Sequence, residues 1–204
     1  MSDWMQSARA TGIIPPAARG KWRVKQFTVS KEDTICQFGS MFRTGRFVPP
    51  GTYTGLYRGQ TIVMSDTPDE MRDCRSIIQR ASGRVLVNGL GLGCVVRALL
   101  AKPEVTQIDV VEIDADVIAL IVPHMADKRL VIHHDSAFTF KTSASMKWDY
   151  AWHDIWDTLC TDDLEQHTKM KRKYARRVNV WQGCWGEDFL RSQKHRERSY
   201  AYAR

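Results

Sequence analysis

The chain has 204 residues, 43% hydrophobic and 26% charged, which is enough for one core and ordinary for a globular protein. No apolar run approaches the ~18 residues that span a bilayer. Residues 1–20 lack the apolar core of a secretory signal, so the sequence argues against a membrane protein and a cytoplasmic location is the expectation. The net charge of +7 is unevenly placed: residues 1–50 carry +5, residues 51–168 carry −6 and residues 169–204 carry +8. Basic ends of this kind either track a polyanion such as nucleic acid or act as solvated surface, and both readings stay open. The five cysteines, Cys36, Cys74, Cys94, Cys160 and Cys184, are odd in number and form no CxxC pair. They read as reduced structural thiols rather than as a disulfide framework or a zinc site.

In chain order, residues 1–20 (with Ile13-Ile14-Pro15-Pro16) read as a flexible lead-in. Residues 21–66 read as a β extension, with a strand over 22–30. Pro49-Pro50-Gly51 breaks the chain, and a hairpin over Thr52–Ser65 turns near Gly59. A helix capped by Asp66 or Thr67, with Pro68 at its first position and acids in its first turn, is expected to run to about Arg80. Val85–Val87 is a short apolar strand, followed by Gly89-Leu90-Gly91-Leu92-Gly93 and an apolar helical run from Cys94 to Ala101. A second strand, Ile108–Val111, ends in Glu112-Ile113-Asp114. A helix from Ala115 is then cut by Pro123.

Leu130–His134 is a third strand, ending at Asp135. Asp149–Asp154 is short and aromatic and reads as a fourth strand, although Trp148, Trp152 and Trp156 also fit helical spacing. A polar helix over about 158–176 precedes a fifth strand at Val178–Trp181, and residues 183–204 read as a short helix with a basic tail. The alternation from Val85 onward predicts an α/β fold with a doubly wound, mainly parallel sheet. Residues 67–182 form its ligand-binding domain, and an N-terminal β-hairpin precedes it. With so few residues after the fifth strand, the sheet is expected to be truncated at the C-terminus.

In such a sheet the ligand lies at the carboxyl ends of the strands. Those ends carry Asn88, Gly89, Leu90, Gly91 and Gly93, then Glu112, Ile113 and Asp114, then Asp135, Ser136 and Ala137, and finally His153 and Asp154. Glycines let a backbone approach a ligand closely, a helix N-terminus offers free N–H groups, and a strand-end acid accepts hydrogen bonds from ribose hydroxyls. His153 and Asp154 are a candidate proton-transfer pair, although consecutive strand residues point to opposite faces. Trp156, past the strand end, is a candidate stacking surface for substrate, with Tyr53 and Tyr57 of the hairpin as further candidate contacts. His133, His134 and His153 are metal-ligand types, but single strand-end histidines read as hydrogen-bonded structure, and no metal site is assigned.

The stretch Val85–Asp114 resembles motif I and the acidic strand of class I S-adenosylmethionine-dependent methyltransferases, in particular their spermidine synthase branch. The likeness spans about residues 52–157. Ser65-Asp66-Thr67-Pro68-Asp69-Glu70 resembles the opening of the branch's helix, His134-Asp135-Ser136-Ala137-Phe138 its third strand end, and Trp148–Asp157 its fourth. The resemblance implies a methyltransferase-like Rossmann fold with S-adenosylmethionine as cofactor. Gly89, Gly91 and Gly93 would lie against its methionine and ribose. Glu112 would hold the ribose hydroxyls with Asp114 nearby, Asp135 and Ser136 would lie at the adenine, and Asp154 would serve as base or orienting group.

This sequence departs from the branch at Met64, where a glutamine is common, and at Asp73-Cys74-Arg75, where Tyr-His-Glu is common. It also has Val87 where many methyltransferases carry an acid. Polyamine synthesis is therefore not implied. Three readings follow: a methyltransferase with an unspecified acceptor, a non-catalytic cofactor-binding module that meets nucleic acid or protein, and an aminopropyl transferase with an altered polyamine site. The oligomeric state stays open, a dimer included.

Overall fold

The computed structural model describes residues 3–36 and 47–202. Two sheets organise them. The first is antiparallel, in the order β1 (Ala17–Arg19), β2 (Trp22–Val29), β3 (Gly51–Arg58) and β4 (Thr61–Ser65). The expected hairpin is β3–β4, turning at Gly59 (φ +63°). It is half of a four-stranded sheet, because β2 pairs with β3 along its whole length, from Trp22 opposite Arg58 to Val29 opposite Gly51.

The lead-in expected over residues 1–20 is different in the structure. Residues 3–8 form helix α1 (Asp3–Ala8), and Ala8, Ala10 and Ile14 are buried. One buried carboxylate explains why so polar a segment docks. Asp66 accepts from the Ala10 N–H (2.9 Å), the Thr11 N–H (2.7 Å) and the Thr54 N–H (2.7 Å), joining the N-terminal segment to β3. After the short helix α2 (Lys31–Cys36), the chain enters the first sheet's central strand.

The helix expected over 67–80 is two helices, α3 (Pro68–Asp73) and α4 (Arg75–Arg80). Thr67 caps the first, accepting from Glu70 N–H, and Asp66 is left for the buried hub. At Cys74 the backbone N–H bonds tightly back to Met71, three residues earlier, and the helix axis breaks there.

The second sheet is wholly parallel. Its strands are β5 (Gly83–Asn88), β6 (Val105–Glu112), β7 (Leu130–His134), β8 (Trp148–His153) and β9 (Val178–Cys184), in the order β7-β6-β5-β8-β9. This is a doubly wound Rossmann-type α/β fold, with its switch point between β5 and β8, where the winding reverses. The aromatic run at 148–153 is a strand, which settles the alternative of a helix. Helix α5 (Cys94–Leu100) follows β5. Helix α6 (Ala115–Ile121) follows β6 and gives way to a 3-10 turn at Pro123. Helix α7 (Asp163–Tyr174) precedes β9, and α8 (Glu187–Tyr202) runs through most of the segment expected to be a short helix and tail. No strand follows β9 among the described residues, and none of the described helices is long and apolar enough to cross a membrane.

Strand parity divides the core. Val85, Val87, Ile108, Val110 and Trp152 face one side, with Ile77, Leu99 and Ile121. Leu86 and Ala151 face the other, with Met170 and Tyr174 of α7; Trp148 joins them out of parity with Trp152, past the register shift between Trp148 and Tyr150.

Removing the Asp66 carboxylate would strand three backbone donors, two of them in buried contacts. Asp66→Ala is expected to lower the unfolding free energy by about 3–5 kcal/mol, and Asp66→Asn by less. Urea unfolding would check this as a drop in midpoint with an unchanged slope.

Candidate functional site

A cavity of about 370 Å³ opens at the carboxyl ends of the parallel strands, where the antiparallel sheet leans over them. Of the residues singled out in the sequence, it gathers Gly89, Leu90, Gly91, Glu112, Ile113, Asp114, Ser136, Ala137, Asp154 and Trp156 in its wall.

The glycine loop is held from both sides. Glu112 accepts from the Leu90 N–H through one oxygen and from the Asp114 N–H through the other, both at 2.8 Å. Gly89 has φ +94°, and a Cβ there would overlap the Asp154 carbonyl oxygen, so only glycine lets β5 and β8 end this close together. Gly91 (φ +52°) lies against Met64, whose sulfur would be 2.5 Å from an added Cβ. The same sulfur, 3.3 Å from the Leu92 nitrogen, accepts its hydrogen bond. A protein thioether therefore covers part of the loop that the sequence reading left open for a ligand. Gly93 opens α5 and lies outside the cavity wall.

Asp114 is fixed from the N-terminal sheet. The Trp22 indole donates to it at 2.7 Å and Lys21 lies 3.4 Å away. Burial works against its ionisation, but the Trp22 indole, the Asp116 N–H and Lys21 outweigh that and hold its carboxyl below the usual range. Leu56, Arg58, Val63 and Met64 of β3 and β4 complete this wall. Arg58 pairs with Asp157, a second ion pair in the wall beside Lys21 and Asp114.

The inner end is acidic. Burial pushes the Asp154 carboxyl up to about 7, and the charges of Glu70 and Asp73 add to the shift. The Trp152 indole N–H opposes it, yet is buried and outside hydrogen-bond geometry with any described group. Glu70 is raised as well, by burial first, with the Ser65 donors opposing and Asp73 and Asp69 adding. Cys74 faces the same space as a neutral thiol, held well above its usual range by burial and by Asp154. A desolvated carboxyl poised near neutrality beside an unsatisfied donor can take a proton from an incoming nucleophile or orient it.

Several expected site residues are elsewhere. His153 and Asn88 lie on the opposite face of the sheet. Asn88 Nδ2 donates to His153 Nδ1 (2.7 Å), and His153 Nε2 donates to Gln182 Oε1 (3.1 Å). The ring is fully buried, and burial lowers its pKa to about 4, so it is neutral and structural. The reason is parity: Val87 and Trp152 take the cavity face, which turns the next residue of each strand away. Tyr53 and Tyr57 are turned away likewise, since Leu56 and Arg58 hold the cavity side of β3; Tyr53 bonds the Pro49 carbonyl instead. Asp135 stays outside the wall and caps the following turn, accepting from the Ser136 N–H (2.6 Å) and the Thr139 hydroxyl (3.1 Å). Its expected place is filled by Ser136, Ala137 and Phe138. His133 pairs with buried Asp109 (2.8 Å), and His134 contacts the Ile113 carbonyl (3.1 Å).

Lys21, Trp22, Arg58, Met64, Glu70, Cys74, Phe138 and Trp185 were not singled out as site residues. Glu70 and Phe138 fell inside the stretches that carried the resemblance, and Met64 and Cys74 stood where the sequence departs from it; Lys21, Trp22, Arg58 and Trp185 carried no such signal.

No family model matches the chain, and no curated protein matches it. Among solved structures it is similar to the CcbJ methyltransferase from Streptomyces caelestis (13% identity, TM-score 0.45, covering 57% of this chain and 49% of that one). It is also similar to an S-adenosylmethionine-dependent methyltransferase from Mesorhizobium loti (14% identity, TM-score 0.41, covering 53% and 48%). A third is CalS10, an amino pentose methyltransferase from Micromonospora echinaspora solved with S-adenosylmethionine bound (14% identity, TM-score 0.38, covering 52% and 45%). The matched region spans less than half of each of these proteins.

The folded pKa of Asp154 lies above its ordinary value of 3.8, so the folded state holds this proton more tightly than the unfolded chain. The associated stability is full below pH ~4 and is lost as pH rises through ~7. It amounts to on the order of 2–4 kcal/mol. Asp154→Asn is expected to be more stable than wild type at pH 8 and to lose that advantage at pH 4. Urea midpoints at the two pH values test this; an equal difference at both would show that Asp154 is not shifted.

Proposed function

We propose that the chain belongs to the class I methyltransferase superfamily, binds S-adenosylmethionine in this cavity and transfers its methyl group to an acceptor admitted at the acidic end. The observation that carries the reading is the meeting, in one cavity, of the glycine loop, the Glu112 carboxylate and an Asp154 carboxyl held near pKa 7.

The residues present fit the cofactor. The cavity is within the ~300–1,000 Å³ range of small-molecule sites. Glu112 uses one acceptor position on each oxygen for backbone donors and keeps the others for hydroxyls. Ile113 and Phe138, exposed by 68% and 42%, offer apolar faces at the rim for a planar base, next to Ser136 and Ala137. When bound, the cofactor supplies a methyl carbon activated by a sulfonium sulfur. Trp22 and Met64 exclude water from the glycine loop, and the orphan Trp152 N–H faces the reacting end. Asp154 then takes a proton from, or aligns, an amine or hydroxyl nucleophile, and the geometry of approach carries the rest of the rate. Glu70 beside it favours acceptors with N–H or O–H groups.

S-adenosylmethionine is expected to raise the melting temperature of the wild type. Ile113→Asp and Phe138→Ala, both at exposed positions, are expected to weaken binding about tenfold each. Glu112→Ala is expected to abolish it. In a screen of amines, proteins and nucleic acids with methyl-labelled cofactor, Asp154→Asn is expected to lower transfer by about 10²-fold or more at unchanged cofactor affinity. Failure of the wild type to bind S-adenosylmethionine would sink the reading. Binding without transfer to any acceptor would leave a cofactor-binding module.

A further inference from the structure

Three potential metal ligands meet away from the cavity. His167 comes from α7, Cys184 ends β9 and Glu187 opens α8, and their ligand atoms lie within 4.8 Å of one another. Among the described residues it is the one such cluster.

A second, independent observation points to a ligand. His167 is 1% exposed, and neither ring nitrogen has a hydrogen-bond partner. Buried polar groups are almost always paired, and an orphan costs about 1–3 kcal/mol. Trp156 packs against this ring at 4.2 Å and closes one side of it. Cys184 is 4% exposed and carries no disulfide. Glu187 is already oriented: Lys171 (2.6 Å) and Arg191 (2.7 and 3.0 Å) all donate to Oε1, which leaves Oε2 for a further partner. Outer donors that fix a ligating carboxylate are a regular feature of metal sites. A cavity of about 530 Å³ reaches Cys184 and Glu187 from the surface and gives access for an ion and a water.

We propose that His167, Cys184 and Glu187 bind a thiophilic divalent cation, zinc first among them. Imidazole, thiolate and carboxylate together with one open position form a three-ligand zinc set, and a soft sulfur disfavours calcium and magnesium. Tetrahedral bonding needs ligand atoms about 3.3–3.8 Å apart, so the three side chains close by roughly 1 Å around the ion. A free thiol is mostly protonated at neutral pH, whereas a metal-bound one is a thiolate. Binding therefore expels that proton: Cys184–SH and M²⁺ give a Cys184–S–metal bond and one H⁺ in solution. The bound ion ties α7, β9 and α8 together. The site rests on none of the residues argued to hold the cofactor.

The test is titration of the full-length, chelator-treated protein with Co²⁺, followed by displacement with Zn²⁺. One equivalent is expected to give tetrahedral visible bands and a near-ultraviolet thiolate-to-cobalt band, with about one proton released per ion. Both signals are expected to survive in Cys160→Ser, which removes an exposed thiol, and to be lost in Cys184→Ser and His167→Gln. If those variants fail to fold, wild-type protein decides the matter: Zn²⁺ is expected to protect Cys184 from alkylation, read by mass spectrometry. No thiolate band, a band that follows Cys160, or an unprotected Cys184 would overturn the proposal.

Discussion

The cavity depends on one carboxylate bridging two backbone segments. Glu112 ends β6 and holds N–H groups from the glycine loop after β5 and from its own strand exit. With both fixed, Gly89 can rest against the Asp154 backbone, and the ends of β5, β6 and β8 form one rim. The parallel register already brings Asn88 level with Val111 and His153. Glu112 turns that alignment into a fixed loop with no ligand required to order it.

The second constraint is the roof. A doubly wound sheet leaves its ligand crevice open, and here the antiparallel sheet covers it with Trp22, Leu56, Arg58 and Met64. The roof stays in place because Asp66 and Asp114 are each tied across elements: Asp66 to residues 10, 11 and 54, and Asp114 to Lys21 and Trp22. Covering the crevice has an electrostatic effect. Water removed from the inner end raises Asp154 and Glu70, while at the mouth Lys21 and Arg58 are each paired with an acid, Asp114 and Asp157. One enclosure thus holds proton-retaining carboxyls within and ion pairs at its rim, a contrast that open strand ends in water would lose.

The parallel sheet was legible in the sequence because its strands are short apolar runs that stop at glycines or acids, and these features are local. So were Glu112, Ile113 and Asp154, which follow their strands directly. What failed was mostly parity and distance. Asn88 and His153 sit one residue before cavity positions, and one step along a strand reverses the face. Tyr53 and Tyr57 lie on β3 out of phase with Leu56 and Arg58 in the same way. Residues 3–20 look polar and flexible because what orders them, the Asp66 carboxylate, lies over 50 positions downstream. The His167, Cys184 and Glu187 cluster was unreadable for a similar reason: its members show no ligand spacing and meet only when α7 folds back along β9.

The basic C-terminal segment illustrates how charge counts mislead without geometry. From sequence, Lys169–Arg177 suits a phosphate backbone as well as it suits solvent. In the fold, Lys171 is committed to Glu187, Lys173 to the Phe138 carbonyl and Arg177 to the Ala144 carbonyl, while Lys169 pairs with Glu165 along the helix. Three of these contacts fasten α7 and the turn after it to neighbouring elements, and one of those neighbours, Phe138, belongs to the cavity wall. Phosphate contacts require cations free to exchange counterions for a polyanion. Here much of the charge density on this helix is engaged in the protein's own architecture, so the basic segment explains how α7 and α8 stay docked better than it explains a nucleic-acid partner.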